Sequence, residues 1–243
     1  IVYQRGHGKM VVAELSDKHK LTNEVVLQEG WDTPSGVAWS PDSRWLAYSL
    51  GDLDGNEEIF IQPVDKSHEP VNVSMHPRGD YSPFWSKDGS KLGFVSIRNN
   101  GDADIWFAWL KKSDWEKTRE DWEELIDEDE EKKDKGEKDK KDKEDQVEPI
   151  QIDTDRIHER LVQVTALPGN ESDLLISHDG KTFYFVSNRN SRQSFRADND
   201  LYSVKWNGKD LKQLTQSNAR PYGVKLSPDG KKLFMLRSGG KLF

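Results

Sequence analysis

The stretch Ser227-Pro228-Asp229-Gly230-Lys231-Lys232-Leu233-Phe234-Met235-Leu236 decides how this chain folds. A serine, an aspartate two residues on and a glycine after it make a tight turn. The carboxylate can bond its own backbone, and glycine accepts the positive φ that closes a hairpin. The apolar run Leu233-Phe234-Met235-Leu236 then reads as a strand. The turn recurs as Ser40-Pro41-Asp42-Ser43, Ser86-Lys87-Asp88-Gly89 and Ser177-His178-Asp179-Gly180, with Ser43 standing where the other copies have glycine. The runs that follow are Trp45-Leu46-Ala47-Tyr48, Leu92-Gly93-Phe94-Val95 and Phe183-Tyr184-Phe185-Val186, and runs such as Val37-Ala38-Trp39 or Phe84-Trp85 precede the turns.

Two further strands complete each unit. The third opens on an acid, an aliphatic and an aromatic residue: Glu58-Ile59-Phe60, Asp104-Ile105-Trp106 and Asp200-Leu201-Tyr202. The fourth closes on a hydroxyl residue, at Ser74, Thr165 and Thr215. The turn serines stand 46, 91 and 50 residues apart, and the middle interval is long because residues 111–159 are inserted between a third and a fourth strand. Equivalent connections elsewhere have about five residues, so the insertion adds 44, and discounting it leaves 47. That is the period of a four-stranded propeller blade. Residues 1–11 superpose on residues 233–243 in the same register, four periods and the insertion apart. The expectation is an all-β propeller sector over residues 1–243, cut through a blade at both ends and belonging to a larger propeller. Its predicted core holds Trp39, Trp85, Phe94, Trp106, Phe185, Tyr202 and Phe234.

The 243 residues carry a net charge of −8, no cysteine and nine tryptophans. Residues 111–159 hold 21 acids against 12 bases, so the rest of the chain is nearly neutral. Residues 127–145 contain no apolar side chain and predict a solvated, mobile strap. Just before it, Ser113-Asp114-Trp115-Glu116 has the form of a capping box, and Trp115, Trp122, Leu125 and Ile126 recur at helical spacing. This predicts an amphipathic helix over 114–126 that lays two tryptophans on the blades. The acidity argues against nucleic acid as a partner, no run of 18 apolar residues predicts a membrane-spanning helix, and the lack of cysteine removes disulfides and a thiol nucleophile. The initial Ile1 suggests a processed chain or a fragment.

The repeated turn and the aspartate-aliphatic-aromatic strand resemble the WD-repeat-like blades of TolB, of prolyl-oligopeptidase relatives and of tricorn proteases. Asp104-Ile105-Trp106-Phe107-Ala108-Trp109-Leu110 leading into Asp114-Trp115-Glu116-Lys117, a Lys/Glu-rich strap, Gln151-Ile152-Asp153 and Ile157-His158-Glu159-Arg160 is similar to the amino-terminal propeller of bacterial tricorn-like serine peptidases. The resemblance implies a noncatalytic propeller that gates or routes peptides, with PDZ-like and peptidase domains further along the parent chain. By analogy it also suggests a periplasmic or other extracytoplasmic bacterial setting, with the cytoplasm left open, and it leaves homo-oligomerisation open. The alternative is a TolB-like scaffold that binds a protein partner with no peptidase attached.

The sequence offers no G-x-S-x-G elbow, no H-E-x-x-H pair and no cofactor fingerprint. Its six histidines are scattered over different connections, with His178 read as a turn residue. The segment Gly51-Asp52-Leu53-Asp54-Gly55-Asn56-Glu57-Glu58 starts like a calcium loop but misplaces the glycine and the final glutamate, and reads as a polar turn. One surface pattern stands out. The connections between blades and those between second and third strands share one propeller face, which collects Arg78, Arg98, Arg189, Arg192, Arg196 and Arg220 beside Asp80, Asp102, Asp198 and Asp200. Forked guanidinium groups there could hold peptide carboxylates.

Overall fold

The computed structural model describes residues 1–99, 101–118, 120–122, 124–125, 148–188, 199–216, 218–237 and 240–242. They form five antiparallel sheets in chain order. The first holds β1 (Val2–Gln4), β2 (Lys9–Leu15) and β3 (Leu21–Glu29), and the second β4 (Ser35–Trp39), β5 (Trp45–Gly51), β6 (Glu57–Pro63) and β7 (Val71–Asn72). The third holds β8 (Asp80–Trp85), β9 (Lys91–Ser96), β10 (Asp104–Trp109) and β11 (Leu161–Gln163). The fourth holds β12 (Glu171–Ile176), β13 (Thr182–Ser187), β14 (Asp200–Lys205) and β15 (Lys212–Gln213), and the last β16 (Tyr222–Leu226), β17 (Leu233–Arg237) and β18 (Lys241–Leu242). The three middle sheets are whole blades; the first supplies second to fourth strands and the last supplies first to third, as the period predicts.

The turns form as the sequence reads. Asp42, Asp88, Asp179 and Asp229 each accept a bond from the backbone N–H two residues on. Each turn serine hydroxyl accepts the N–H five residues on, which opens the second strand. Gly89, Gly180 and Gly230 take φ values of 67–69°, and Ser43 takes 57° without glycine's freedom. Glycine is also required where neighbouring turns meet, since a Cβ at Gly230 would lie 2.6 Å from His178 Nδ1.

The acid and hydroxyl of the repeat form a latch. Thr215 Oγ1 accepts Leu201 N–H at 2.9 Å and donates to Asp200 Oδ1 at 2.7 Å. Ser74 does the same with Ile59 and Glu58. In the third blade Thr165 accepts from Ile105 N–H but donates to Glu171 of the next blade, leaving Asp104 without it.

An apolar cluster fills each space between successive sheets. The largest packs Phe107 and Trp109 of β10 on Phe183 and Phe185 of β13, each buried ring contributing about 2–3 kcal/mol. Of the predicted core, Trp85, Phe94, Phe185 and Tyr202 are buried. Trp39 and Trp106 are half-buried. Phe234 is 39% exposed, because it faces away from the cluster that Leu233 and Met235 join and no sheet among the described residues covers it there.

The insertion leaves β10 and returns to β11 at its predicted place. Its base is closed by Asp153, whose N–H bonds Leu110 O and whose Oδ2 accepts Lys112 N–H. The guanidinium of the buried Arg160 holds the carbonyls of Trp109, Asp153 and Asp155. The expected capping box at Ser113 does not form: helix α1 (Lys112–Trp115) starts at Lys111 without a side-chain cap, and Asp114 pairs with Lys117 at 2.7 Å instead. The reciprocal cap lies five residues on. Asp121 Oδ2 accepts Thr118 N–H at 2.6 Å, and Thr118 Oγ1 accepts Asp121 N–H. Only Trp122 reaches the blades, while Trp115 is 43% exposed. Ile126 and the strap over 127–145 lie outside the described residues. Among the described residues no helix is long and apolar enough to cross a membrane.

Candidate functional site

The two ends of the blades carry different chemistry. At the end that gathers the blade-to-blade connections stand three of the six predicted arginines; Arg189, Arg192 and Arg196 lie outside the described residues. Arg98 is engaged within the fold. It forks onto both oxygens of the fully buried Asp80 at 3.0 Å, bonds Ser96 Oγ and lies 4.8 Å over the Trp106 ring. Arg78 is exposed beside Gly101, and its guanidinium makes no hydrogen bond or ion pair among the described residues. Arg220 is exposed in the connection before β16, with Nε on Asn218. The structure thus leaves Arg78 and Arg220 facing solvent and removes Arg98 from it.

Beside them, two carboxyls adjoin across the joint between the third and fourth blades. Glu171 opens β12 and accepts from Ser187 at 2.9 Å and Thr165 at 3.0 Å. Asp104 opens β10, accepts from Gln163 at 3.2 Å and adjoins the Glu171 carboxyl with its own Oδ1 buried. Burial pushes Glu171 up to about 8, with the adjoining Asp104 adding to the rise, and burial pushes Asp104 up to about 6, with Asp102 adding and the hydrogen bond to Glu171 opposing it. Glu171 therefore keeps its proton at neutral pH.

At the opposite end, the first strands β4, β8, β12 and β16 pack side by side. All four carry a bulge, with Gly36, Ser82, Asp173 and Gly223 at positive φ. Bulges re-aim the side chains that follow them. Between β8, β12 and β16 this opens a cavity of about 450 Å³, lined by Phe84, Leu175, Val224 and Leu226 and also by Lys87, His178 and Lys225. Burial and the nearby Lys87 hold the His178 imidazole below its ordinary range. The sequence showed His178 only as a turn residue and passed over both lysines. A signal was present: the second residue of the turn is Pro41, Lys87, His178 and Pro228 in the four copies, so two adjacent blades place basic groups side by side.

A third cluster surrounds Lys91, whose Nζ lies 4.2 Å over Trp109 and within 6 Å of Phe107 and Trp206. Trp122 of the insertion stacks on Trp109 at 4.9 Å, and Lys117 caps Trp122 at 4.4 Å. Burial pulls Lys91 down to about 8. The buried amine also donates to Ser90 Oγ at 3.0 Å. The polar turn at Asp52 forms as read, with Oδ1 accepting the N–H groups of Asp54 and Asn56 at 2.9 Å.

No family model matches the chain. Among curated proteins, the serine/threonine-protein kinase mig-15 of Caenorhabditis elegans is 31% identical over 93 residues, spanning 38% of this chain and 8% of the kinase. Among solved structures, the tricorn protease matches 96% of this chain with a TM-score of 0.65 and 13% identity, and TolB from Acinetobacter baumannii matches 96% with 0.60 and 17%. The chain spans 23% of the tricorn chain and 44% of the TolB chain. At these identities the likeness is one of fold, and the chain is a β-propeller of four-stranded antiparallel blades.

Proposed function

We propose that this β-propeller is a noncatalytic region of a tricorn-like serine peptidase that gates or routes peptides and scaffolds the assembly. The observation that supports it is the tricorn likeness over 96% of the chain. Arg78 and Arg220, exposed on the connection end, suit the capture of peptide carboxylates, with Arg189, Arg192 and Arg196 proposed to join them. PDZ-like and peptidase domains would then follow in the parent. A TolB-like scaffold holding a protein partner is the second reading, favoured by the TolB likeness over the same share of the chain. Extending the reading frame past Phe243 separates the two. A PDZ-like segment and a serine-peptidase core support the first, a stop soon after closure of the propeller supports the second, and a G-x-S-x-G elbow would replace both with a prolyl-oligopeptidase relative. Replacing Arg78 and Arg220 by alanine tests the arginine face: unchanged affinity for an acidic peptide removes it from the proposal.

A further inference from the structure

We infer that the cavity between β8, β12 and β16 binds an apolar group ending in a carboxylate, whether the last residue of a peptide or a small aromatic acid. This inference does not depend on a peptidase being attached. The cavity is made by the fold rather than left by it: the three strands are bulged at equivalent places, and two of the bulges hold the non-glycine residues Ser82 and Asp173 at φ of 57° and 51°. Such backbone persists only where the surroundings enforce it. At about 450 Å³ it lies in the size range of small-ligand sites and takes a phenyl or branched aliphatic side chain.

The lining residues differ in chemistry. Phe84, Leu175 and Val224 offer no hydrogen bond from their side chains, and no carboxylate lines the cavity. Lys87, Lys225 and His178 also line it and supply its polar groups. Lys225 makes no hydrogen bond or ion pair among the described residues, and Lys87 has only a 3.4 Å bond to Pro228 O. The nearest acids are tied into their own turns: Asp88 bonds Ser90 through both oxygens, Asp179 bonds Ser177 and Lys181, and Asp229 bonds Ser227 and Lys231. Two ammonium groups in an otherwise apolar lining favour an anion with an apolar tail, and a carboxylate meets them at hydrogen-bond range.

Isothermal titration of the chain at neutral pH with the tripeptide Ala-Ala-Phe, its C-terminal amide and 3-phenylpropionate tests the site. The free acids are expected to bind one to one, and the amide about tenfold more weakly. Lys87→Met with Lys225→Met, both at exposed positions, should weaken the acids about tenfold and leave the amide unchanged. Tighter binding of the tripeptide than of 3-phenylpropionate assigns the site to chain ends, and equal binding assigns it to free acids. Leu175→Trp, which fills the cavity, should abolish all binding in a variant whose circular dichroism is native. The inference is overturned by the absence of saturable binding, by equal affinity for acid and amide, or by undiminished acid binding in the double lysine variant.

Discussion

The carboxyl pair at the joint of the third and fourth blades makes a quantitative demand on stability. Glu171 is held at about 8, against an ordinary value of 4.5. Between those values the native chain keeps a proton that the unfolded chain has released, so stability falls as pH rises through this window. Each unit of pH removes about 1.4 kcal/mol, so the wild type should lose about 3 kcal/mol between pH 5 and pH 7 at this carboxyl pair. Glu171→Gln keeps the shape and an acceptor for Ser187 or Thr165, and cannot ionise. Urea unfolding followed by circular dichroism at half-unit steps from pH 5 to pH 8 measures both proteins. The stability difference should shift in favour of glutamine by about 3 kcal/mol from pH 5 to pH 7. Subtracting the two curves cancels carboxylates held low elsewhere, such as Asp52 and Asp121. A difference that stays flat across the window, or moves toward glutamate, refutes the assignment of a proton to Glu171.

Three further perturbations have defined outcomes. Lys91→Met places a thioether among Trp109, Phe107 and Trp206; it should stabilise by about 1–3 kcal/mol at pH 7. It should also abolish the rise in wild-type stability above pH 8, where the native amine, held at about 8, loses its proton ahead of the unfolded one at 10.5. Arg98→Met leaves Asp80 buried and uncompensated and should cost about 3–5 kcal/mol by urea unfolding, with Asp80→Asn in the same chain restoring at least half; an additive pair of losses would contradict the coupling. Ser43→Gly relieves a left-handed residue at φ 57° and should raise stability by about 1 kcal/mol in thermal melts, whereas a loss would mean that the Ser43 side chain is needed.

The blades were legible because their determinants are local. Asp229 bonds a backbone two residues away, an offset that recurs in every copy of the turn, and the Thr215 latch lies within one blade at nearly the offset of its Ser74 counterpart. The cavity was not, because it depends on bulges in β8, β12 and β16, which shift register without a constant residue: Ser82, Asp173 and Gly223 share only a positive φ. The Trp109, Trp122 and Trp206 stack was half-visible, since helical spacing marked Trp122 but nothing local joins it to rings on two blades. The same limit applies to the arginine face. Spacing brought Arg98 to the right end of the blade, and only the fold shows that Asp80 already holds it.

The hydroxyl that ends the fourth strand and accepts a third-strand N–H in all three blades also explains where this fold can be lengthened. β7 and β15 are two residues long, so the outermost strand of a blade has little ladder of its own. What secures it is a side chain at its far end, fastened to the start of the third strand regardless of the path between them. Stretching that connection from about five residues to 49 raises the closure cost by about 2 kcal/mol, which the Ile105–Thr165 bond and the Asp153 and Arg160 bonds to Leu110 and Trp109 at the base of the insertion offset at about 1 kcal/mol each. The gap between third and fourth strands is therefore a socket, into which foreign sequence of almost any length can be spliced while the blade stays shut.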